Sequence, residues 1–217
     1  MQIEVVSDVA CPWCAIGVSA LDRALANIGD ELGPIDVQMQ PFELNPAMPL
    51  EGADATQYLS AKYGIGPEQI AVNRARIVER GASEGFTFGP RTHVWNTFDA
   101  HRLLSLAGAE GEPGAQLALK RALLAAYHGE GRNISDRGVL VELAAAAGLP
   151  AERARQVLEG DEFATQVREA ERFWQEAGIT GVPAVVINRK HLISGGQPAA
   201  VFEQALRQIA AESREIG

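Results

Sequence analysis

Apolar residues near the start of the chain change from strand-like to helix-like spacing. Residues 3–6 form a short β-branched run, which is typical of a strand. Apolar side chains then recur at helical spacing, at Cys14, Val18, Leu21, Leu25 and Ile28. Gly29 ends that pattern, and residues 35–40 alternate between apolar and polar. The pattern therefore predicts a strand, a helix and a second strand.

A long helical stretch follows, and the chain then returns to strands. Breaks at glycine and proline divide it into predicted helices at 54–63, 67–84, 95–108, 113–129, 135–147, 150–158 and 161–177. Residues 184–187 and 190–194 read as a hairpin turning at Asn188 and Arg189, and a last helix starts after residues 195–198.

This order of elements predicts an α/β protein with a thioredoxin-like fold. Two parallel strands joined by a helix, together with a final antiparallel hairpin, form one mixed four-stranded sheet. We expect a discontinuous thioredoxin-like domain at 1–45 and 178–217, and an all-helical insertion domain at 46–177. The helix at 161–177 lies at their junction and can belong to either.

Composition and charge narrow the class of partner. The chain has 217 residues, 47% of them hydrophobic, and carries a net charge of −9. Such an acidic protein is a poor match for nucleic acid or an anionic membrane, because both select basic surfaces. No stretch approaches the roughly 18 apolar residues that span a bilayer. The chain also enters its first strand without a signal-like segment, so we expect a cytoplasmic protein.

The only two cysteines stand three positions apart at the predicted start of the first helix. Proline is favoured at the first helical position, so Pro12 makes Cys11 the residue that caps the helix. We expect the sulfur of Cys11 to be exposed, with its pKa lowered by the unpaired N–H groups of the first turn. Cys14 falls one turn later on the inward stripe and is expected to be shielded. Trp13, between them, adds no positive charge. The pair is therefore interpreted as a redox-active dithiol that needs no bound cofactor.

Two other interpretations of the cysteines are weaker. No further cysteine exists to complete a zinc cage, and His93, His101, His128 and His191 are scattered without ligand spacing. An inert core role suits Cys14, but it does not suit a cysteine beside a proline at a helix start.

Val182 and Pro183 form the second candidate site. They open the strand at 184–187, which this topology places beside the cysteine turn. A cis bond between them would aim the backbone of Val182 at Cys11, where it could pair with an extended substrate by strand addition. In isolation, a proline at a strand start usually marks only an edge or a bulge.

Four further residues are candidates for lining a substrate cleft. Asn96, Asp99 and His101 lie on the helix predicted nearest the cysteines, although capping or solvation explains polar residues there more often. Phe42 is a core residue by pattern, and alternatively part of the floor of an apolar groove, as Phe86 and Trp95 could also be.

Several stretches together resemble the DsbA family of thioredoxin-fold oxidoreductases, and most closely its FrnE-like branch. They are residues 7–17, 41–46, 96–103, 181–183 and 194–198, so the resemblance runs over nearly the whole chain. The resemblance implies an attacking Cys11, a resolving Cys14, a cis-Pro183 and a helical insertion. Trp13 and the missing signal peptide depart from the periplasmic pattern, which disfavours a strong oxidant.

These features predict a thiol–disulfide oxidoreductase of the reductase or isomerase type. Its partners would be proteins or peptides with thiols or disulfides, with glutathione as a conceivable co-substrate. Two alternatives remain open. One is a glutathione-dependent isomerase resembling the kappa-class transferases and hydroxychromene-carboxylate isomerases, which typically have serine in place of Cys11. The other is a peptide-binding chaperone whose thiols are incidental.

Overall fold

A computed structural model describes residues 1–215 as six strands and nine helices, one of them ending in a π turn. The strands are β1 (Gln2–Ser7), β2 (Asp36–Pro41), β3 (Ala53–Asp54), β4 (His93–Val94), β5 (Ala184–Ile187) and β6 (His191–Ser194). The helices are α1 (Pro12–Ile28), α2 (Ala55–Tyr63), α3 (Pro67–Ser83), α4 (Phe98–Glu110), α5 (Ala115–Leu124, continued by the π turn Ala125–Gly129), α6 (Arg137–Ala146), α7 (Ala151–Glu159), α8 (Ala164–Glu176) and α9 (Ala199–Glu215).

Strand β1 is an inner strand of the four-stranded sheet, whose order is β2-β1-β5-β6. It pairs in parallel with β2 and antiparallel with β5, and β5 and β6 form an antiparallel hairpin. The mixed sheet predicted from the sequence is thus confirmed. Its inner position places the carboxyl end of β1, and the cysteine turn that follows, next to the start of β5.

The two faces of the sheet bury different helices because neighbouring side chains of a strand point to opposite sides. Val5 and Val185 pack in one cluster with residues of α1 and α9. Val6 and Ala184 pack on the other side with Trp174 of α8.

The helices were predicted within a few residues of their bounds, and two of them begin later than expected for local reasons. The helix expected at 95–108 begins only at Phe98, since the side chain of Asn96 accepts a hydrogen bond from the Phe98 N–H (2.9 Å) and forms a turn. The helix expected at 161–177 begins at Ala164, after Phe163 in a left-handed conformation (φ 62°). Strands β3 and β4, two residues each, carry too little pattern to be predicted.

We keep the division into a discontinuous domain and a helical insertion as a proposal. Separate clusters of buried side chains support it, one centred on α4 to α7 and another between the sheet, α1 and α9. Val9 and Ala10, which precede the first cysteine, pack in the helical cluster. The cysteine turn is therefore in contact with both parts. Within residues 1–215, no helix has the length and apolarity that crossing a membrane requires.

The Arg102 side chain holds the segment between α7 and α8 through hydrogen bonds. Its buried guanidinium binds the carboxylate of Asp99 at 2.8 Å and donates to the carbonyl groups of Val157, Gly160 and Glu162. Asp99 is thus a partner of Arg102, and the planar five-donor fork of arginine suits this many acceptors.

Replacing Arg102 by methionine should lower the free energy of unfolding by about 3–5 kcal/mol, because it leaves several carbonyl groups without their donor and the largely buried Asp99 carboxylate with only the longer contact to Arg137 (3.7 Å). Urea denaturation measures the change. The matched control is Arg155→Met, whose exposed pair with Glu152 should contribute less than about 0.5 kcal/mol. Equal losses for the two variants would contradict this account.

Candidate active site

The two cysteines lie at the amino end of α1 in the predicted positions. Pro12 is the first helical residue, and Cys11 is the N-cap with extended backbone angles (φ −87°, ψ 117°). The Cys14 N–H donates to the Cys11 carbonyl at 3.1 Å, and Cys14 is fully buried on the inner face of α1. Both are free thiols.

Cys11 is far less exposed than expected, with only 4% of its surface accessible. The cause is the loop before β5, because the Cys11 thiol donates to the Val182 carbonyl at 3.6 Å. The Val182–Pro183 peptide bond is cis, and Pro183 packs so tightly on α1 that a Cβ on Gly17 would lie 2.9 Å from its Cγ. The Val182–Pro183 loop thus lies against the start of α1, although the two are distant in sequence.

The two thiols have opposite pKa shifts. Hydrogen bonding from the Cys14 thiol is the largest influence on Cys11 and lowers its pKa, outweighing burial and the repulsion from Asp8. The N–H groups of Cys14 and Trp13 also favour the thiolate. Burial and the negative charge of Cys11 raise the pKa of Cys14 well above its usual range. The Cys11 sulfur thus depends more on the neighbouring thiol than on the N–H groups of the helix end.

The loop between β1 and α1 is held by side chains from the helical stretch. The Asp8 carbonyl accepts from the Cys11 N–H at 3.2 Å, whereas three neighbouring carbonyl groups, of Ser7 at the end of β1 and of Val9 and Ala10, accept from side chains, since a buried carbonyl needs a donor. Three donors supply these bonds: Lys120 Nζ to the Ser7 oxygen (3.5 Å), His128 Nε2 to the Val9 oxygen (2.8 Å) and Arg91 Nη2 to the Ala10 oxygen (3.2 Å).

Arg91 reaches this loop because its segment runs against the π turn. The Gly89 N–H donates to the His128 carbonyl at 2.8 Å, and a Cβ on Gly89 would lie 1.8 Å from the Gly129 oxygen. Only glycine fits there.

Asp8 places a buried carboxylate immediately before the cysteines. Burial acts to raise its pKa, but the interaction with His101 and hydrogen bonds from the N–H groups of Leu44 (2.7 Å) and Ala10 (3.1 Å) lower it. His101 Nε2 lies 3.5 Å from Asp8 Oδ1. The net effect is a buried negative charge.

Lys120 and His128 bring basic groups to the same place. Burial lowers the pKa of Lys120, and the nearby acidic groups of Cys14, Asp8 and Cys11 oppose that shift. Burial and Arg91 lower the pKa of His128 to about 3, so its ring is neutral at physiological pH. Because the Val9 carbonyl can only accept, the proton of His128 is on Nε2.

A cavity of about 410 Å³ opens beside Cys11. It is enclosed by the residues of the cysteine turn, the segment after β2, helices α2 and α3, and the segment that carries Arg91. Trp13 forms part of its wall and is 39% exposed. Its size is in the range of pockets for small organic ligands. Among the side chains that the structure describes, those of residues 1–213, no group of three or more histidine, cysteine or acidic residues is placed to hold a metal ion.

The four residues predicted to line a cleft lie outside this cavity. Phe42 packs in the core with Trp174, since it points to the α8 side of the sheet. Asn96 is held in its own turn and donates to the Met48 carbonyl at 2.7 Å. Asp99 is bound to Arg102, while His101 is buried behind the cysteine turn against Asp8.

Sequence reasoning missed the donors that hold the turn and the residues around the cavity. Lys120 and His128 lie on a predicted helix among apolar neighbours, and nothing local marks them as buried and polar. Arg91 lies in a segment predicted only as a break. The clearest available signal was Asp8, an acidic residue between an apolar strand and the cysteines.

The chain is similar to known proteins over almost its full length. Residues 2–207 match the DSBA-like thioredoxin domain family. A probable DsbA oxidoreductase from Streptomyces coelicolor is 38% identical, with a TM-score of 0.86 and coverage of 96% of this chain and 89% of that chain. The uncharacterized protein YwbO of Bacillus subtilis is 26% identical over 95% of this chain and 96% of its own length. The fold is shared with the cytosolic disulfide reductase DsbM of Pseudomonas aeruginosa, at 22% identity and a TM-score of 0.64, covering 96% of this chain and 100% of that chain.

The family match includes the cysteine turn, the cis-proline loop and every strand and helix between them. The chain therefore belongs to the DsbA-like thioredoxin domain family, whose members are thiol oxidoreductases.

Proposed function

We propose that this protein is a protein thiol–disulfide reductase or isomerase in which Cys11 attacks, Cys14 resolves and the Val182–Pro183 loop aligns the substrate. The observation that carries the proposal is the opposite pKa shift of two thiols one helical turn apart. Cys11 has the greater thiolate fraction and lies in the cavity wall, whereas Cys14 is protonated and fully buried. Only the thiolate is nucleophilic.

The proposed reaction transfers two electrons to the substrate. The Cys11 thiolate attacks one sulfur of a substrate disulfide, and a mixed disulfide forms as the first substrate thiolate leaves and takes up a proton. Cys14 then loses its proton and attacks the Cys11 sulfur, releasing the second substrate thiol. The protein is left with a Cys11–Cys14 disulfide, which two equivalents of a thiol such as glutathione would reduce again.

The buried charges behind the turn support the second step. Cys14 must lose a proton in a place where burial opposes its thiolate, and attraction to Lys120 lowers its pKa. The same ammonium holds the Ser7 carbonyl, so its position is fixed relative to the turn.

The proposal includes a cytosolic location and the FrnE-like branch of the family. A reducing thiol pool keeps a dithiol of this type reduced and favours reductase or isomerase work over the oxidation of substrates. The similarity to a reductase named as cytosolic is in keeping with this location.

Substituting the two cysteines one at a time should separate their roles. Cys11→Ser should reduce insulin disulfides no faster than buffer, because it lacks the attacking sulfur. Cys14→Ser should accumulate mixed disulfides at Cys11, visible on non-reducing gels and by mass spectrometry. Full activity of Cys11→Ser would refute the proposal.

Turnover of a small aromatic substrate with glutathione, without need for Cys14, would favour the isomerase alternative. Suppression of aggregation by the double serine variant, with no redox activity in the native protein, would favour the chaperone.

The pH dependence of alkylation should report the influence of Cys14 on Cys11. The midpoint for Cys11 modification by iodoacetamide, followed by mass spectrometry, should lie below about 8.5, the value of an ordinary cysteine. In Cys14→Ala the midpoint should rise, because the thiol that donates to Cys11 is gone. An identical midpoint in the two proteins would contradict the assigned cause.

Removing the buried ammonium should slow resolution of the mixed disulfide. In Lys120→Met, the decay of a mixed disulfide in a single turnover at pH 7 should be about tenfold slower, with its pH midpoint moved upward, because an opposite charge near a thiol lowers the thiol pKa by one unit or more. Lys190→Met, at an exposed position, is the matched control. A slower decay without a displaced midpoint would indicate a purely structural role.

A further inference from the structure

The cavity beside Cys11 is lined by cations and by no acidic side chain. Its described lining residues include Lys62, Arg74, Arg76 and Arg91, and none of them is aspartate or glutamate. This is unexpected in a chain with 28 acidic and 19 basic residues and a net charge of −9.

Within residues 1–213, whose side chains the structure describes, no carboxylate forms an ion pair with these four cations. Most other arginines of the chain are in ion pairs. Around the cavity, Arg74 donates to the Gly89 carbonyl (2.6 Å), Arg91 to the Ala10 carbonyl and the Tyr127 hydroxyl, and Lys62 to Asn45 Oδ1 (2.5 Å). Neutral acceptors orient a cation but leave its charge in place.

Arg76 is the most available of the four. It lies on α3 with an exposed side chain, and it makes no hydrogen bond or ion pair with the residues that the structure describes. A concave site lined by one sign of charge focuses its field and concentrates ligands of the opposite sign. The apolar side chains of α2 and α3, among them Leu59, Ile70 and Ile77, form the rest of this wall.

We infer that the substrate reaching Cys11 is a carboxylate-bearing disulfide, either a small molecule or a short acidic stretch of peptide around its cystine. This rests on the proposed function, and it adds the charge and size of what that site accepts. The apolar wall contacts the carbon skeleton, the cations hold the carboxylates, and the disulfide faces Cys11. At about 410 Å³ the cavity takes in a small ligand or a few residues, and the remainder of a larger substrate stays outside.

The test compares disulfides that differ only in charge. The probes are 3,3′-dithiodipropionate (dianionic), 2-hydroxyethyl disulfide (neutral) and cystamine (dicationic). For each, the second-order rate constant for oxidation of the reduced protein is measured by loss of free thiols and divided by the same constant for dithiothreitol. We expect the dianion to exceed the dication by at least about tenfold at low salt, and added NaCl to reduce that ratio because salt screens exposed charges.

The variant that tests the cavity is Arg76→Gln, with Arg172→Gln as its matched control. Arg172 is also exposed, without a described ion pair, and it lies outside the cavity, so both changes remove one equivalent charge. Arg76→Gln should lower the anion-to-neutral ratio of rate constants about fivefold, and Arg172→Gln should leave it within twofold of the native ratio. Thermal unfolding of both variants checks that the fold is retained.

The outcomes separate this inference from the proposed function. Equal normalised rates for the three probes, or equal effects of the two variants, would overturn the anionic preference and leave the proposed oxidoreductase function unaffected. Failure of every probe to oxidise the protein would overturn both. Two octapeptide disulfides, one flanked by glutamate and one by lysine, distinguish a peptide substrate from a small molecule. If the glutamate peptide is preferred over the lysine peptide by more than the anionic small probe is over the cationic one, the substrate is an acidic polypeptide. If only the small probes show a preference for the anion, the substrate is a low-molecular-weight disulfide.

Discussion

The cysteine turn depends on hydrogen bonds that it cannot make for itself. The residues between β1 and α1 lie outside both regular elements, yet they are buried, so the carbonyl groups that have no backbone donor in the turn need donors from elsewhere. The helical stretch provides Lys120, His128 and Arg91 for this purpose. The geometry of the reactive thiols therefore depends on residues that lie about a hundred positions away in the chain.

This arrangement also determines the electrostatics of the site. Lys120, one of the donors that hold the loop, brings positive charge behind Cys14, and Asp8 brings a buried negative charge that opposes a thiolate at Cys11. The pKa of Cys11 is thus lowered despite the repulsion from Asp8, mainly because Cys14 donates a hydrogen bond to Cys11. In the proposed reaction, a protonated Cys14 stabilises the attacking thiolate of Cys11, and Cys14 becomes a nucleophile only after Cys11 is bound to substrate and no longer charged.

The sequence predicted those features that are local and missed those that require three-dimensional contact. The change of periodicity at Cys11, with a proline after it, was enough to place Cys11 at the N-cap of α1 and Cys14 in its first turn, and alternation of apolar residues was enough for the sheet. Burial of Cys11 was not predictable in this way, because the Val182 carbonyl that covers it comes from the other end of the chain. Lys120 is a further example, since a lysine on an amphipathic helix reads as a solvated residue. The residues predicted to line a cleft lie elsewhere for a related reason. The Asn96 side chain holds its own turn and the Asp99 carboxylate binds Arg102, so neither side chain reaches the cavity.

The position of β5 beside β1 has a consequence for the newly synthesised chain. During synthesis β1 and β2 emerge from the ribosome first, while one edge of β1 must wait for residues 184–187. Until then one edge of β1 is unpaired, and Cys11 lacks the Val182 carbonyl that later covers it. Domains generally complete folding as units during translation. The Cys11 thiol therefore lacks this cover for as long as synthesis has not passed residue 182.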